Sequence, residues 1–344
     1  MVTRTTTQCQ SADCQPRLET ETWRRELGQA FTRVGPLLEF LGLRPGQVPL
    51  LDPAPDQFGL LVPRGFAALM RPGDARDPLL RQVLPLTSER IAATGYSLDP
   101  VGDGAATATR GLLRKYAGRA LLMAHGGCAI HCRYCFRRHF PYEDLGAYGP
   151  RISVGLDQIQ ADIALREVIL SGGDPLLLSD NALTSLLSQL SAIPQLRRLR
   201  LHSRVPVVLP SRITGRLCDL LGGLPWPVAL VIHANHAREL GDAAQAGLNA
   251  ISRVGVTLLN QSVLLGGVND QADTLADLSE RLFECGVLPY YLHQLDQVEG
   301  AAHFAVPDQV ALGLLDGLRQ HLPGYLVPRL VRELEGAPCK QPLE

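Results

Sequence analysis

Six short β-rich runs with helix-like stretches between them constrain the fold of this sequence more than any other feature. RALLMA (119–124), EVILSG (167–172), LRLHS (199–203), VALVIH (228–233), VTLLNQSVLL (256–265) and LPYYLH (288–293) are dense in Leu, Ile, Val and Tyr. Helical patterns fill 181–192, 211–221, 236–248 and 272–285. Such alternation predicts an α/β fold with right-handed crossovers, because parallel neighbours need a long connection that a helix supplies. Periodicity alone leaves open a full barrel, a partial barrel or a doubly wound sheet. In each, reactive residues belong on loops at the C-terminal ends of strands. Before residue 114, WRRELGQAFT, LLEFLGL and DPLLRQVLP carry helical spacing, separated by breaks such as LLDPAPDQFG. A helix is predicted at 308–321, followed by a tail that reads as a closing segment. The expected layout is 1–114 mostly helical with a disordered start, 115–300 the barrel core, and 301–344 the closing segment.

Charge is nearly balanced, with a formal net of −1. No electrostatic footprint points to nucleic acid or an anionic membrane. The first fifteen residues lack the apolar stretch of a signal peptide, and no apolar run reaches spanning length. These features lead to an expectation of a soluble, cytoplasmic protein. Of eight cysteines, Cys128, Cys132 and Cys135 lie together, while Cys9, Cys14, Cys218, Cys285 and Cys339 are scattered. That distribution favours metal or redox chemistry over a disulfide framework. Basic residues are almost all Arg; the only lysines are Lys115 and Lys340. A lysine kept in so arginine-biased a chain is a candidate for work arginine cannot do, such as nucleophilic attack by a neutral amine.

The run Cys128-Ala-Ile-His-Cys132-Arg-Tyr-Cys135 follows the first strand and a Gly126-Gly127 turn. Three thiolates on one loop can hold three irons of a [4Fe–4S] cubane and leave the fourth open to a ligand. A structural zinc site would want a fourth protein ligand, usually from a second pair that this chain lacks. Ser171-Gly172-Gly173-Asp174-Pro175 ends the second strand, and its glycines let backbone approach a ligand.

Together these motifs resemble the radical S-adenosylmethionine (SAM) superfamily, whose members build a partial (β/α)6 TIM-like barrel. Over 114–340 the resemblance narrows to the lysine 2,3-aminomutase family, through CRYCFRRHF, SGGDPLLLSD, HSRVPVVLPSRIT, NQSVLLGGVND, YYLHQLDQVEGAAHF and GYLVP. It implies a cluster on Cys128, Cys132 and Cys135, with SAM bound by Gly172, Gly173 and Asp174 and flanked by His233 and Gln261. It further implies pyridoxal phosphate (PLP) carried by Lys340, its phosphate near Arg119 and Lys115. The substrate, L-lysine, would be held by Arg137 at its carboxylate and by Asp296 and Glu333 at its distal ammonium. The implied reaction moves the amino group from C2 to C3, giving (R)-β-lysine, with an external reductant supplying the electron.

Several positions depart from the family pattern. Glu333 stands for an aspartate, Lys115 for an arginine and His293 for a tyrosine near PLP; Gly336-Ala337-Pro338-Cys339 replaces a glycine-rich stretch. The chain ends soon after Lys340 without a zinc-binding cysteine extension, so no zinc is expected. These traits look most like the bacterial branch that supplies β-lysine to a separate ligase for modification of translation elongation factor P. Two other readings stay open: a radical SAM enzyme that lacks PLP and consumes SAM, and an aminomutase for another amino acid.

Overall fold

The computed structural model describes residues 15–53, 55, 58–109, 111–142 and 148–343; the expected disordered start at 1–14 lies outside them. Ten strands form one sheet in chain order. They are β1 (Thr107–Thr109), β2 (Leu112–Leu113), β3 (Arg119–His125), β4 (Glu167–Gly172), β5 (Arg198–Ser203), β6 (Val228–Ile232), β7 (Thr257–Val263), β8 (Leu288–His293), β9 (Arg329–Arg332) and β10 (Gln341–Pro342). Strands β3 to β9 run parallel to one another, while β1–β2, β2–β3 and β9–β10 pair antiparallel.

All six expected runs are strands. Two expectations need correction. The closing segment contributes a seventh parallel strand, β9, and the antiparallel β10; the region expected to be helical contributes β1 and β2. Both corrections concern short strands, whose few residues leave little periodic signal. The helix Tyr148–Ala161, which crosses from β3 to β4, was also not anticipated. Helices at Asp180–Ser191 and Gly215–Gly222 begin where Ser179 and Thr214 side chains accept from Ala182 N and Leu217 N, both at 3.2 Å, satisfying amides of the first turn.

Along β3 the outward side chains Ala120, Leu122 and Ala124 are fully buried against the helical layer. Inward positions differ from an ordinary parallel sheet, which is apolar on both faces. The register places Arg119, Glu167, Arg200, His202, Gln261 and His293 on the inner face, an interior suited to a polar ligand. Lys115, just before β3, ion-pairs with Glu333, just after β9, at 3.1 Å. Laid flat, seven parallel strands would hold β3 and β9 about 29 Å apart. The sheet therefore curls into a partial barrel.

Trp23, Phe31, Leu37 and Phe66 of the N-terminal region join the same apolar cluster as Leu122 and Leu170 of the barrel. Among the described residues, no helix is long and apolar enough to cross a membrane. Leu330 on β9 is 2% exposed whereas Val310 is 47% exposed. Leu330→Ala is expected to cost about 2–5 kcal/mol in urea unfolding and Val310→Ala under about 0.5 kcal/mol. Equal effects would contradict the packing of β9.

Candidate active site

The loop after β3 brings Cys128, Cys132 and Cys135 into mutual range. Burial pushes the Cys128 thiol well up, and the neighbouring Cys135 and Cys132 push it further; Cys135 responds in the same way to burial and to Cys132. Arg204 donates to Cys132 Sγ at 2.6 Å, and its other nitrogen reaches Gln82 Oε1 at 2.7 Å and Glu239 Oε2 at 2.9 Å. Among the described residues no three His, Cys, Asp or Glu side chains converge on one metal ion. A cubane instead binds each thiolate to a different iron, and three neighbouring cysteines on one loop beside a guanidinium fit that dispersed, anionic group. Two further arginines of the loop, Arg133 and Arg138, both grip Glu89, tying the cysteines to the N-terminal region.

The turn after β4 is clamped to the cysteine loop by backbone. Gly173 N donates to His125 O and Asp174 N to Gly127 O, both at 2.8 Å. Gly172 has φ +123°, and a Cβ there would fall 2.3 Å from His125 O; one on Gly173 would fall 2.2 Å from Gly127 O. Only glycine fits such an approach. Asp174, expected at a cofactor, instead accepts from Ser203 Oγ (2.7 Å), Arg204 N (2.8 Å), Leu176 N (3.0 Å) and Val205 N (3.1 Å). A carboxylate has about four acceptor sites, so this one is fully used in pinning the end of β5. His233 Nε2 lies 2.8 Å from Tyr134 Oη, with the two rings stacked. Gln261 faces the interior on β7, in register with Tyr291.

Deeper in the barrel the remaining site residues form a chain of alternating charge. Arg137 Nε donates to Asp103 Oδ2 at 2.6 Å, and Lys115 Nζ lies 2.6 Å from Asp103 Oδ1. Lys115 then reaches Glu333 Oε1 at 3.1 Å, and Lys340 Nζ donates to Glu333 Oε2. Both lysines of the chain thus meet on one carboxylate. Burial alone would raise the Glu333 carboxyl, yet Lys340 and Lys115 hold it down at about 2. Asp296 behaves oppositely: burial and the nearby Glu333 push it up to about 7. Burial and Lys340 bring His293 down to about 3, and His202 is likewise depressed by burial, Arg200 and Lys340. Their buried Nε2 atoms have no hydrogen-bond partner among the described residues. Those two buried nitrogens lie near Lys340 and keep hydrogen-bonding capacity that the protein itself leaves unused. Arg119 lies over the Tyr116 ring at 4.9 Å, and burial and the nearby Glu333 carboxylate push the Tyr116 hydroxyl up. A cavity of about 480 Å³ opens beside Arg137 and Asp103.

Over 325 residues the chain is 46% identical to an L-lysine 2,3-aminomutase of Escherichia coli, covering 94% of this chain and 95% of that protein. An L-lysine 2,3-aminomutase of Haemophilus influenzae is 43% identical, with the same two coverages. The chain belongs to the L-lysine 2,3-aminomutase family. It is accordingly an enzyme of the isomerase class. The L-lysine 2,3-aminomutase of Clostridium subterminale is 36% identical over 81% of this chain but 67% of its own length. No protein-family model matches the chain. Among solved structures, Streptococcus suis SuiB bound to S-adenosylmethionine aligns over 65% of this chain and 52% of that one, at 13% identity and a TM-score of 0.45.

Against the residues expected from family resemblance, the structure gathers Arg137, Lys115, Glu333, Lys340 and Asp296 around one interior and the cysteines, Gly172, Gly173 and His233 around its mouth. Asp103 was not anticipated. It lies in the N-terminal region, is 1% exposed and carries no motif; Asp99 fixes it by accepting from Asp103 N at 2.9 Å. His202 was missed as well, though its place at the end of a predicted strand was a usable signal.

Two outcomes test this geometry. Gly173→Ala is expected to destabilise the protein by about 1–3 kcal/mol and to lower iron content after anaerobic reconstitution; unchanged iron and melting would contradict the clamp. Native Asp296 keeps its proton up to about pH 7, and the unfolded chain only to about pH 4. Raising pH across that window should therefore weaken wild type relative to Asp296→Asn. A difference in unfolding free energy that stays flat with pH would contradict the placement.

Proposed function

We propose that this enzyme is a radical SAM, PLP-dependent aminomutase that converts L-α-lysine to (R)-β-lysine. The observation that carries this reading is the pairing around Lys340. A guanidinium, Arg137, lies at one end of a connected set of buried side chains, and Glu333 with Asp296 lies at the other. A molecule with a carboxylate at one end and an ammonium at the other is the complement of such a site. The names of the relatives support the same substrate.

Cys128, Cys132 and Cys135 would hold the [4Fe–4S] cluster. The backbone of Gly172 and Gly173, with His233 and Gln261, would line SAM, and Lys340 with Arg119 would hold PLP. When bound, the cluster and SAM supply a carbon-centred radical and PLP a conjugated system that stabilises the unpaired electron during migration. The chain's own residues bind, orient and exclude water. Arg137 would keep Nε on Asp103 and offer its terminal nitrogens to the substrate carboxylate, a planar partner its fork suits. Asp296 loses its proton when a cation arrives, since opposite charge reverses the penalty of burial. His202 and His293 stay neutral beside Lys340, so they offer hydrogen bonds without adding positive charge.

The GGCAIHCRYCFRRHFPY segment and its likeness to the bacterial branch support a cytoplasmic role in bacteria, with the product passed to the ligase that modifies elongation factor P. An external reductant would feed the cluster.

Anaerobic incubation with L-lysine, SAM, PLP and dithionite should yield β-lysine, resolved by chromatography and mass. Lys340→Ala should lack both the product and the visible band of lysine-bound PLP. A fully loaded enzyme that forms no β-lysine, or that consumes one SAM per turnover without amino migration, overturns the proposal.

A further inference from the structure

Lys115 Nζ meets three protein oxygens: Val101 O at 2.8 Å, Asp103 Oδ1 at 2.6 Å and Glu333 Oε1 at 3.1 Å. Two of its three N–H donors go to Val101 O and Glu333 Oε1 and its charge is paired with Asp103, so the ammonium is turned to two carboxylates rather than to a phosphate. That differs from the phosphate contact implied by family resemblance, where an arginine stands at this position. Lys115 is 19% exposed, Glu333 16% and Asp103 1%. Little solvent screens these pairs, and each carboxylate is held from a second side, Asp103 by Arg137 and Glu333 by Lys340. Close approach of the segments is built in: Gly102 has φ +66°, and a Cβ there would fall 2.6 Å from Glu335 Cγ.

We propose that Lys115 is a positioning residue: it fixes the separation between Arg137, reached through Asp103, and Glu333, and so sets the length of diamino acid the site accepts. This rests on the functional reading above. Arg137 would read the carboxylate end and Glu333 the ammonium end, and Lys115 joins Asp103, the partner of Arg137, to Glu333. Without its charge, Asp103 and Glu333 are no longer drawn together, and the two reading ends lose their common anchor.

The test compares wild type, Lys115→Met and Lys115→Arg, each reconstituted with cluster and PLP, on L-lysine and on the one-methylene-shorter L-ornithine. Lys115→Met is expected to raise KM for lysine about tenfold or more, as for a buried pair losing one partner, with a smaller change in kcat. Its preference for lysine over ornithine should narrow, while the PLP concentration that half-saturates the visible band stays within about threefold. Lys115→Arg, which keeps the charge between the carboxylates, should recover most of the lysine KM. Asp103→Asn combined with Lys115→Met should be no worse than the poorer single variant, as expected for two members of one unit. Loss of PLP affinity in Lys115→Met with unchanged lysine KM and selectivity would make it a phosphate ligand and overturn the proposal. Unaltered selectivity with a merely lowered melting temperature would overturn it too. Wild type with neither PLP band nor β-lysine would instead overturn the functional reading on which it stands.

Discussion

The hold of Glu333 on two lysines is the contact on which the shape of the barrel interior depends. Lys115 comes from the turn before the first parallel strand and Lys340 from the turn after the seventh, so one carboxylate spans the seam of an otherwise open sheet. Buried ion pairs repay their desolvation only when every charge is matched. Here matching is achieved by alternation: Arg137, Asp103, Lys115 and Glu333 each touch a neighbour of opposite sign. Removing a member leaves a buried charge unpaired.

The mouth of the barrel obeys a different constraint, set by backbone. Gly172 and Gly173 permit the β4 turn to lie against the carbonyls of His125 and Gly127, at distances no side chain would allow. Asp174 then organises the start of the next crossover, and Arg204, held there, turns toward Cys132. The cysteine loop is thus supported from β4 and β5 and, through Glu89, from the N-terminal region. The loop that presents the three cysteines is kept in place by rigid elements on each side.

Much of this was legible in the sequence. The six longer strands announced themselves because their outward faces are dense in aliphatic residues and each run is bounded by helical or turn-rich sequence. The three cysteines and the two lysines stood out because chemistry demands those residue types and the composition supplies them nowhere else in such a pattern. β1, β2, β9 and β10 did not, being two to four residues long. Asp103 was equally silent, since an aspartate in a loop usually marks a turn.

Sequence alone therefore determined which chemical groups are present and that they end up near strand termini: three thiols on one loop, an amine at Lys340, a guanidinium at Arg137. Tertiary structure decided which of them are partners. Only when the sheet curls does residue 103 meet residues 115 and 137, or residue 115 meet residue 333. Electrostatic pairing falls steeply with distance and rises with burial, and both are properties of the folded chain. The same step revealed that Asp174 is spent on the scaffold and that Lys115 is already held between two carboxylates, which no spacing of residues along the chain could express.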